Sequence, residues 1–545
     1  DCFKIFWLGI VVIIFALQII QIFIPVNGVC FYGFGVVSLI GYYLLMKERG
    51  IQFLKISPPV LVFTILISLW LANRALSPNL NEDTGLYHLG IAKWLSEYPI
   101  IPGLGNVHGR LAFNNSSLLF SAFIDAGFWS ISSVRIGNSL LILVAFVQMF
   151  SIFFQSKQTE ENSDSFKRFY AIVSLPVLFF IAFSAIGLDT DIPVIILGIV
   201  VGLYFIDMIM RESNSFLDYF SLIFICSVGF TLKLSFGFFC FCLCLVSIFT
   251  GLRKSVFNFL SIRLAILVSI AILVILPFFI RGYITSGYPL FPSTIGGIGV
   301  DWAVAVEEAD QQAYAIKSFA RDPQYRLINK PEDMVFSNWI FPWIKFQLIG
   351  LKEKWMVSIP FALGSLALLL QLVLKIFDFR KNLYWLLPFV CSLVFWFGVA
   401  PSPRFAGALF WFYFVLSVYP LIKLISDRHW FKFLLDWKFG FLGVFSVMFL
   451  IGLAGKRESV ITDSPSFIQR WPLPLVDYES VSIPYKYYDN GKSSSITLQL
   501  SKSRLPWNIP LPSAPSQNKN LRLRGFEIQQ GFIDLRSIDQ LEDRK

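Results

Sequence analysis

Charge is what this sequence has least of: Asp, Glu, Lys and Arg make up 15% of 545 residues. A soluble domain carries about 25%, because it must cover its surface, so a soluble globular protein is excluded. The seven cysteines show neither metal-ligand nor disulfide spacing outside the apolar runs. Cys226, Cys240, Cys242, Cys244 and Cys391 lie inside those runs and read as small apolar packing residues. There is no internal repeat of the kind that builds paired transporter halves. A Gly-rich loop for a nucleotide phosphate is also missing. The chain opens on Asp1 rather than Met, which leaves open a trimmed targeting segment.

What is abundant is apolar. Hydrophobic residues reach 56%, with 59 Phe and 15 Trp, and mean hydropathy is +0.67. Apolar runs near 4–24, 30–46, 57–76, 135–154, 169–187, 192–210, 217–232, 234–250, 263–281, 356–376, 383–400, 405–425 and 438–454 approach the roughly 20 residues a spanning helix needs. They predict an all-α polytopic membrane protein of about 13 transmembrane helices, with 1–454 as the membrane domain and 455–545 as a small C-terminal segment. In a soluble protein the net charge of +10 would suggest nucleic acid. Here it is assigned to cytoplasmic loops and anionic lipid headgroups, and no nucleic-acid partner is expected.

The apolar stretch 114–131 contains Asn114, Asn115, Ser116, Ser117 and Asp125, and whether it crosses sets the parity of every later span. If it does not cross, Lys47, Arg49, Lys55, Lys157, Lys167, Arg168, Arg211, Arg253, Lys254, Arg263, Lys375, Arg380, Lys381, Lys423, Arg428 and Lys432 fall on one side. The positive-inside rule selects that arrangement. The N-terminus is then cytoplasmic, and loops 77–134, 282–355 and the tail 455–545 are external. The tail reads as either a small β-rich appendage or a partly ordered cap, with alternation in Ser495–Leu500.

The unusual polar residues gather on the external side of this topology. Glu82 and Asp83 precede Tyr87, His88, Ile91, Trp94, Leu95 and Tyr98, which recur at helical spacing as an amphipathic surface helix. The structural alternative makes Asn81 or Asp83 its N-cap. His108, Arg110 and Asn114 follow in a loop with three glycines, where an arginine suits a phosphate and the alternative is a snorkelling side chain. Asp189 and Asp191 occupy a short turn before Pro193. Asp191 suits an N-cap, whereas two acids together also suit a cation or a partner. Lys233, Arg281 (ahead of Tyr288) and Arg404 are bases beside apolar runs. Such residues are functional by default, with snorkelling as the alternative. Together these acids and bases suggest an anionic ligand with an activated group beside it.

The arrangement resembles the C-type (GT-C) fold of polyprenyl-phosphate-sugar glycosyltransferases. Glu82-Asp83 with Tyr87-His88 matches the acidic motif opening the first large loop, and Thr190-Asp191-Ile192-Pro193 matches a T-D-x-P turn. Lys233 stands at an L-x-K position, Arg281 to Pro292 follows an R-x5-G-x-P-x-x-P pattern, and Pro403-Arg404-Phe405 partly matches a P-x-R-[FY] motif. The order spans about residues 57–425. The stretch from Asp83 to Asn114 is most similar to bacterial members whose substrates are undefined. The chain departs from that pattern in the order of its acid pair, in the spacing to Tyr87, and in an additional hairpin over about 4–46.

The resemblance implies a membrane glycosyltransferase with its active site on the periplasmic face of a bacterial inner membrane. A polyprenyl-phosphate sugar would be the donor, and a glycan, lipid or protein the acceptor. Asp83 would be the general base, with Glu82 or His88 as the alternative. Lys233, Arg281, Arg404 and Arg110 would neutralise the leaving phosphate. Asp189 and Asp191 would position the acceptor or hold a divalent cation, and His108, Asn114 and Tyr288 would line the binding region. The rival readings are a polysaccharide polymerase or ligase, and a lipid or solute transporter.

Overall fold

A computed structural model describes residues 2–49, 57–75, 81–127, 133–154, 161–184, 187–211, 213–322, 331–348, 357–376, 379–426, 440, 442–448, 476–484 and 495–542. The chain runs through helices α1 (Cys2–Phe23), α2 (Gly28–Arg49) and α3 (Pro58–Ala75), then a π-helical turn Thr84–His88 leading into α4 (Leu89–Glu97). There follow α5 (Ser117–Asp125), α6 (Ser133–Ser151), α7 (Glu161–Ser184), α8 (Asp191–Met210), α9 (Phe216–Leu232), α10 (Leu234–Arg253), α11 (Ile262–Ser286), α12 (Val306–Arg321) and α13 (Phe336–Trp343). Among the described residues, seven helices are long and apolar enough to cross a membrane: α1, α2, α3, α7, α8, α10 and α11. Shorter apolar helices lie at Ile136–Ser151, Phe216–Leu232, Ile359–Val373, Leu386–Val399 and Leu409–Leu424. The protein is thus a helical membrane protein. The expected span 438–454 lies outside the described residues except at 440 and 442–448, as do 128–132 and 455–475.

Helix α8 is apolar on every side from Ile192 to Ile206 and, Tyr204 aside, is buried along that length, as such a helix must be. It packs among α6, α7, α9, α10 and the helix Leu409–Ser426. Helix α2 is the converse: Val36, Val37, Leu39, Ile40 and Tyr43 are all exposed, which for an apolar spanning helix means contact with acyl chains. The additional N-terminal hairpin is not peripheral as a whole, because α1 buries Trp7, Val11, Ile14, Leu17, Gln18 and Gln21 against α5, α9 and α11.

Local sequence sets the helix ends. Ser215 and Asp218 form a capping box at the start of α9, satisfying two otherwise orphaned backbone donors. Gly287 closes α11 with φ of 81°, the left-handed conformation that glycine adopts without a Cβ penalty. Between α9 and α10 the connection is a single extended residue, Lys233.

Helix α5 has nine residues, about 14 Å at 1.5 Å per residue, less than half a hydrocarbon core. The chain returns to the end that it left. Asn138, in the first turns of α6, donates to the carbonyls of Gly187 (2.9 Å) and Asp189 (3.0 Å), and the Leu188 N–H donates to Thr84 Oγ1 at 3.2 Å. The opposite end carries its own charges. Lys4 pairs with Asp218 at 2.8 Å, and Lys167 and Arg211 pair with Asp207 at 2.9 and 2.5 Å, around a cavity of about 350 Å³.

The regular structure in the described part of the C-terminal segment is mostly β. Strands β1 (Tyr478–Ile483) and β2 (Ile496–Ser501) pair antiparallel, from Tyr478 opposite Ser501 to Ile483 opposite Ile496. Strand β3 (Ser513–Ala514) joins β2 in parallel, and β4 (Leu521–Leu523) pairs with β5 (Phe532–Asp534) before a short helix, Leu535–Glu542. The alternation read in Ser495–Leu500 is that of β2, which buries Leu498 and Leu500.

Candidate active site

Four turns at one end of the bundle bring acids and bases together. The segment after α3 supplies Asp83, the α7–α8 turn supplies Asp189 and Asp191, the α9–α10 break supplies Lys233, and the 3-10 turn Pro403–Ala406 supplies Arg404. The Arg404 guanidinium spans two of the acids, with Nη2 2.7 Å from Asp83 Oδ2 and Nε 3.0 Å from Asp191 Oδ2. Lys233 Nζ donates to the other Asp191 oxygen, and Arg110 Nη1 lies 3.2 Å from Asp83 Oδ1. Aromatic faces hold the cations from behind. Lys233 Nζ is 4.8 Å from the centre of the Phe405 ring, Arg404 lies 5.7 Å from that of Phe319, and Arg110 lies 5.4 Å from that of Tyr87.

The capping alternatives resolve differently at the two acidic turns. Asn81, not Asp83, caps the turn at Thr84: its Oδ1 accepts the Thr84 N–H at 3.0 Å, and Asp83 makes no side-chain cap bond. At the second turn the expected roles are exchanged. Asp189 Oδ1 accepts the Asp191 N–H at 2.9 Å, so Asp189 serves the backbone while Asp191 faces Lys233 and Arg404. The reason is geometric, since the residue two before the first helical N–H reaches it more easily than the first helical residue itself.

Electrostatics follow the contacts. Burial raises the Asp83 carboxyl, but Arg404, helped by Arg110, outweighs it and holds the group below the usual carboxylate range. Burial and the neighbouring Asp191 carboxylate push Asp189 up to about 6. His88 is 1% exposed; burial takes its pKa down to about 3, and neither ring nitrogen has a hydrogen-bond partner among the described residues. His88 is therefore a neutral imidazole at physiological pH and a poor base. Burial, then Arg110, lower His108 to about 4, and among the described residues its Nδ1 also lacks a partner.

The other expected site residues are placed elsewhere. Glu82 is exposed and takes no part in the ion pairs of Asp83. Arg281 on α11 joins a separate buried group: it donates to Gln21 Oε1 of α1 and, at 3.3 Å, to Asn114 Oδ1. Asn114 in turn donates to the Phe278 carbonyl at 2.5 Å. Tyr288 gives its hydroxyl to the Val304 carbonyl at 3.0 Å and packs with Ala112, Phe291 and Ala309. Gln21 was not anticipated, although a glutamine inside an apolar span is the kind of signal that marks such a partner. Among the described residues, no three His, Cys, Asp or Glu side chains group as metal ligands, and Asp83 and Asp191 are matched by the chain's own cations.

The fold and this cluster define a polytopic helical membrane protein with a charged site built from its interhelical turns. Residues 1–411 match the family described as Domain of unknown function (DUF8201), and the chain belongs to that family. No curated protein and no solved structure matches the chain.

Proposed function

We propose that the protein is a membrane glycosyltransferase of the GT-C kind, moving a sugar from a polyprenyl-phosphate donor to a glycan, lipid or protein acceptor. In this reading it has about 13 spans and lies in a bacterial inner membrane, with the N-terminus cytoplasmic and the site on the periplasmic face. The observation that carries the proposal is Asp83, a non-capping carboxylate half-buried beside two cations, Arg404 and Arg110. Arg404 and Lys233 stand where a phosphate would be neutralised.

The acceptor hydroxyl oxygen attacks the anomeric carbon of the donor, and its proton passes to an Asp83 oxygen. The bond from the anomeric carbon to the phosphate oxygen breaks, and the lipid phosphate leaves onto Arg404 and Lys233, where charge stabilisation is strongest. A carboxylate held by Arg404 and Arg110 is a weak base. A donor phosphate competing for Arg404 frees Asp83, so base activation is coupled to donor occupancy. Arg281, whose partners are the amide oxygens of Gln21 and Asn114, adds positive charge on the donor side.

Transfer of radiolabelled sugar from a polyprenyl-phosphate donor by the purified protein tests the proposal. Transfer that depends on Asp83 and Arg404 is the expected result. No transfer with any such donor, or transfer indifferent to both residues, would overturn it.

A further inference from the structure

The C-terminal segment reaches the acidic turn. The Trp507 N–H donates to the Gly85 carbonyl at 2.8 Å, two residues from Asp83. Its indole lies against the same residue: a Cβ on Gly85 would fall 2.4 Å from the ring, closer than carbon atoms approach. Trp507 is also held at φ of 43°, a left-handed conformation that persists in an aromatic residue only where its surroundings over-determine it. The turn beneath it, Thr84–His88, is π-helical, a geometry often found at functional sites.

Three further contacts fix the segment beyond this point. Lys93 Nζ donates to the Ile509 carbonyl at 2.6 Å. The Phe532 N–H donates to the Pro102 carbonyl at 3.0 Å, and Asn518 Nδ2 donates to the Asn106 carbonyl at 3.2 Å. On its other side the turn is tied to the second acidic turn through Thr84 and Leu188. The Asp83 turn is therefore gripped between the α7–α8 connection and a segment more than 400 residues away in sequence.

We infer that Trp507 is a positioning residue of the site, holding the Asp83 turn in place through its contact with Gly85. The site is incomplete without the C-terminal segment, although the family match ends at residue 411. The functional half of this inference rests on the glycosyltransferase reading; the positional half does not.

The test uses the full-length protein in nanodiscs, with Trp507→Ala, Trp507→Phe, Gly85→Ala and the double variant Gly85→Ala/Trp507→Ala. Amide hydrogen exchange over residues 84–89 is read beside thermal unfolding and sugar transfer. Trp507→Ala should raise exchange in that stretch about tenfold or more, leave bundle unfolding unchanged, and lower kcat about ten- to a hundredfold with KM little moved. Trp507→Phe, which keeps a ring on Gly85, should restore most of both. Gly85→Ala alone should resemble Trp507→Ala, yet add nothing to it in the double variant, because the clash needs the indole. Additive effects of the two substitutions, or unaltered exchange in Trp507→Ala, would overturn the inference. Raised exchange in a protein that transfers no sugar would uphold the positioning and sink the glycosyltransferase reading alone.

Discussion

Arg404 Nη2 sits 2.7 Å from Asp83 Oδ2 across 321 residues of chain, and its Nε simultaneously holds Asp191. One guanidinium thus joins the first large loop to the α7–α8 turn. Only a planar fork with several fixed donors does this; an ammonium is a single point charge.

Arg404→Ala should therefore lower kcat for sugar transfer about a hundredfold or more, the scale of losing a preorganised donor to developing charge. Arg404→Lys should recover only part of it. The Asp83 carboxyl, released from its main cation, should titrate higher, moving the acidic limb of the pH–rate profile upward. Steady-state kinetics across pH check both, and equal activity of the Lys variant would contradict the bridging role.

Asp189 should give stability a slope of its own. Its folded pKa of about 6 lies above the unfolded value near 3.9, so between them the folded state binds the extra proton. This contribution is full below about pH 4 and is lost as pH rises through about 6. Asp189→Asn keeps the oxygen that accepts the Asp191 N–H and removes the titration, so thermal unfolding of the variant should lack that slope. Asp83, with its depressed pKa, acts in the opposite sense: its contribution is present above the usual carboxylate range and is lost as pH falls below it. Identical unfolding profiles for wild type and Asp189→Asn would contradict the assignment.

Much of the helical frame is legible in the sequence because lipid imposes one simple condition, a long apolar run with polar ends. The run 192–210 emerges as Asp191–Met210, 217–232 as Phe216–Leu232 and 234–250 as Leu234–Arg253. Lys233 is legible for the same reason, as an ammonium where nothing else is charged. What is not legible is which acid pairs and which caps. Asp189 and Asp191 differ only by two positions, and the choice is settled by where Lys233 and Arg404 arrive in space. Equally hidden are Gln21 beside Arg281 and Trp507 beside Gly85, contacts between distant segments with no periodic pattern to announce them.

Single cysteines should report the topology. A cysteine at Glu82 or Ser293 should react with a membrane-impermeant reagent from the periplasmic side, and one at Ser255 or Lys375 only after the membrane is opened. Reaction of Glu82→Cys and Ser255→Cys from the same side would break the parity set by α5.

Lys233→Ala should cut kcat more than it raises KM, because a phosphate stabilised mainly in the transition state is lost from turnover rather than binding. Its removal also leaves Asp191, 7% exposed, with Arg404 as its one remaining cationic partner among the described residues. Lys233→Arg should preserve folding where Lys233→Ala lowers the unfolding temperature. Wild-type turnover in both would reduce Lys233 to a membrane anchor.

The most direct measurement is sugar transfer from a polyprenyl-phosphate donor by wild type and Asp83→Asn, with folding and donor binding followed in parallel. Asn is nearly isosteric, and Asp83 caps no helix end, so folding should survive the change, apart from the weakened pairing with Arg404 and Arg110. An amide cannot take the acceptor proton at neutral pH. The account predicts that Asp83→Asn folds, binds donor and transfers no sugar. Undiminished transfer by Asp83→Asn would contradict it.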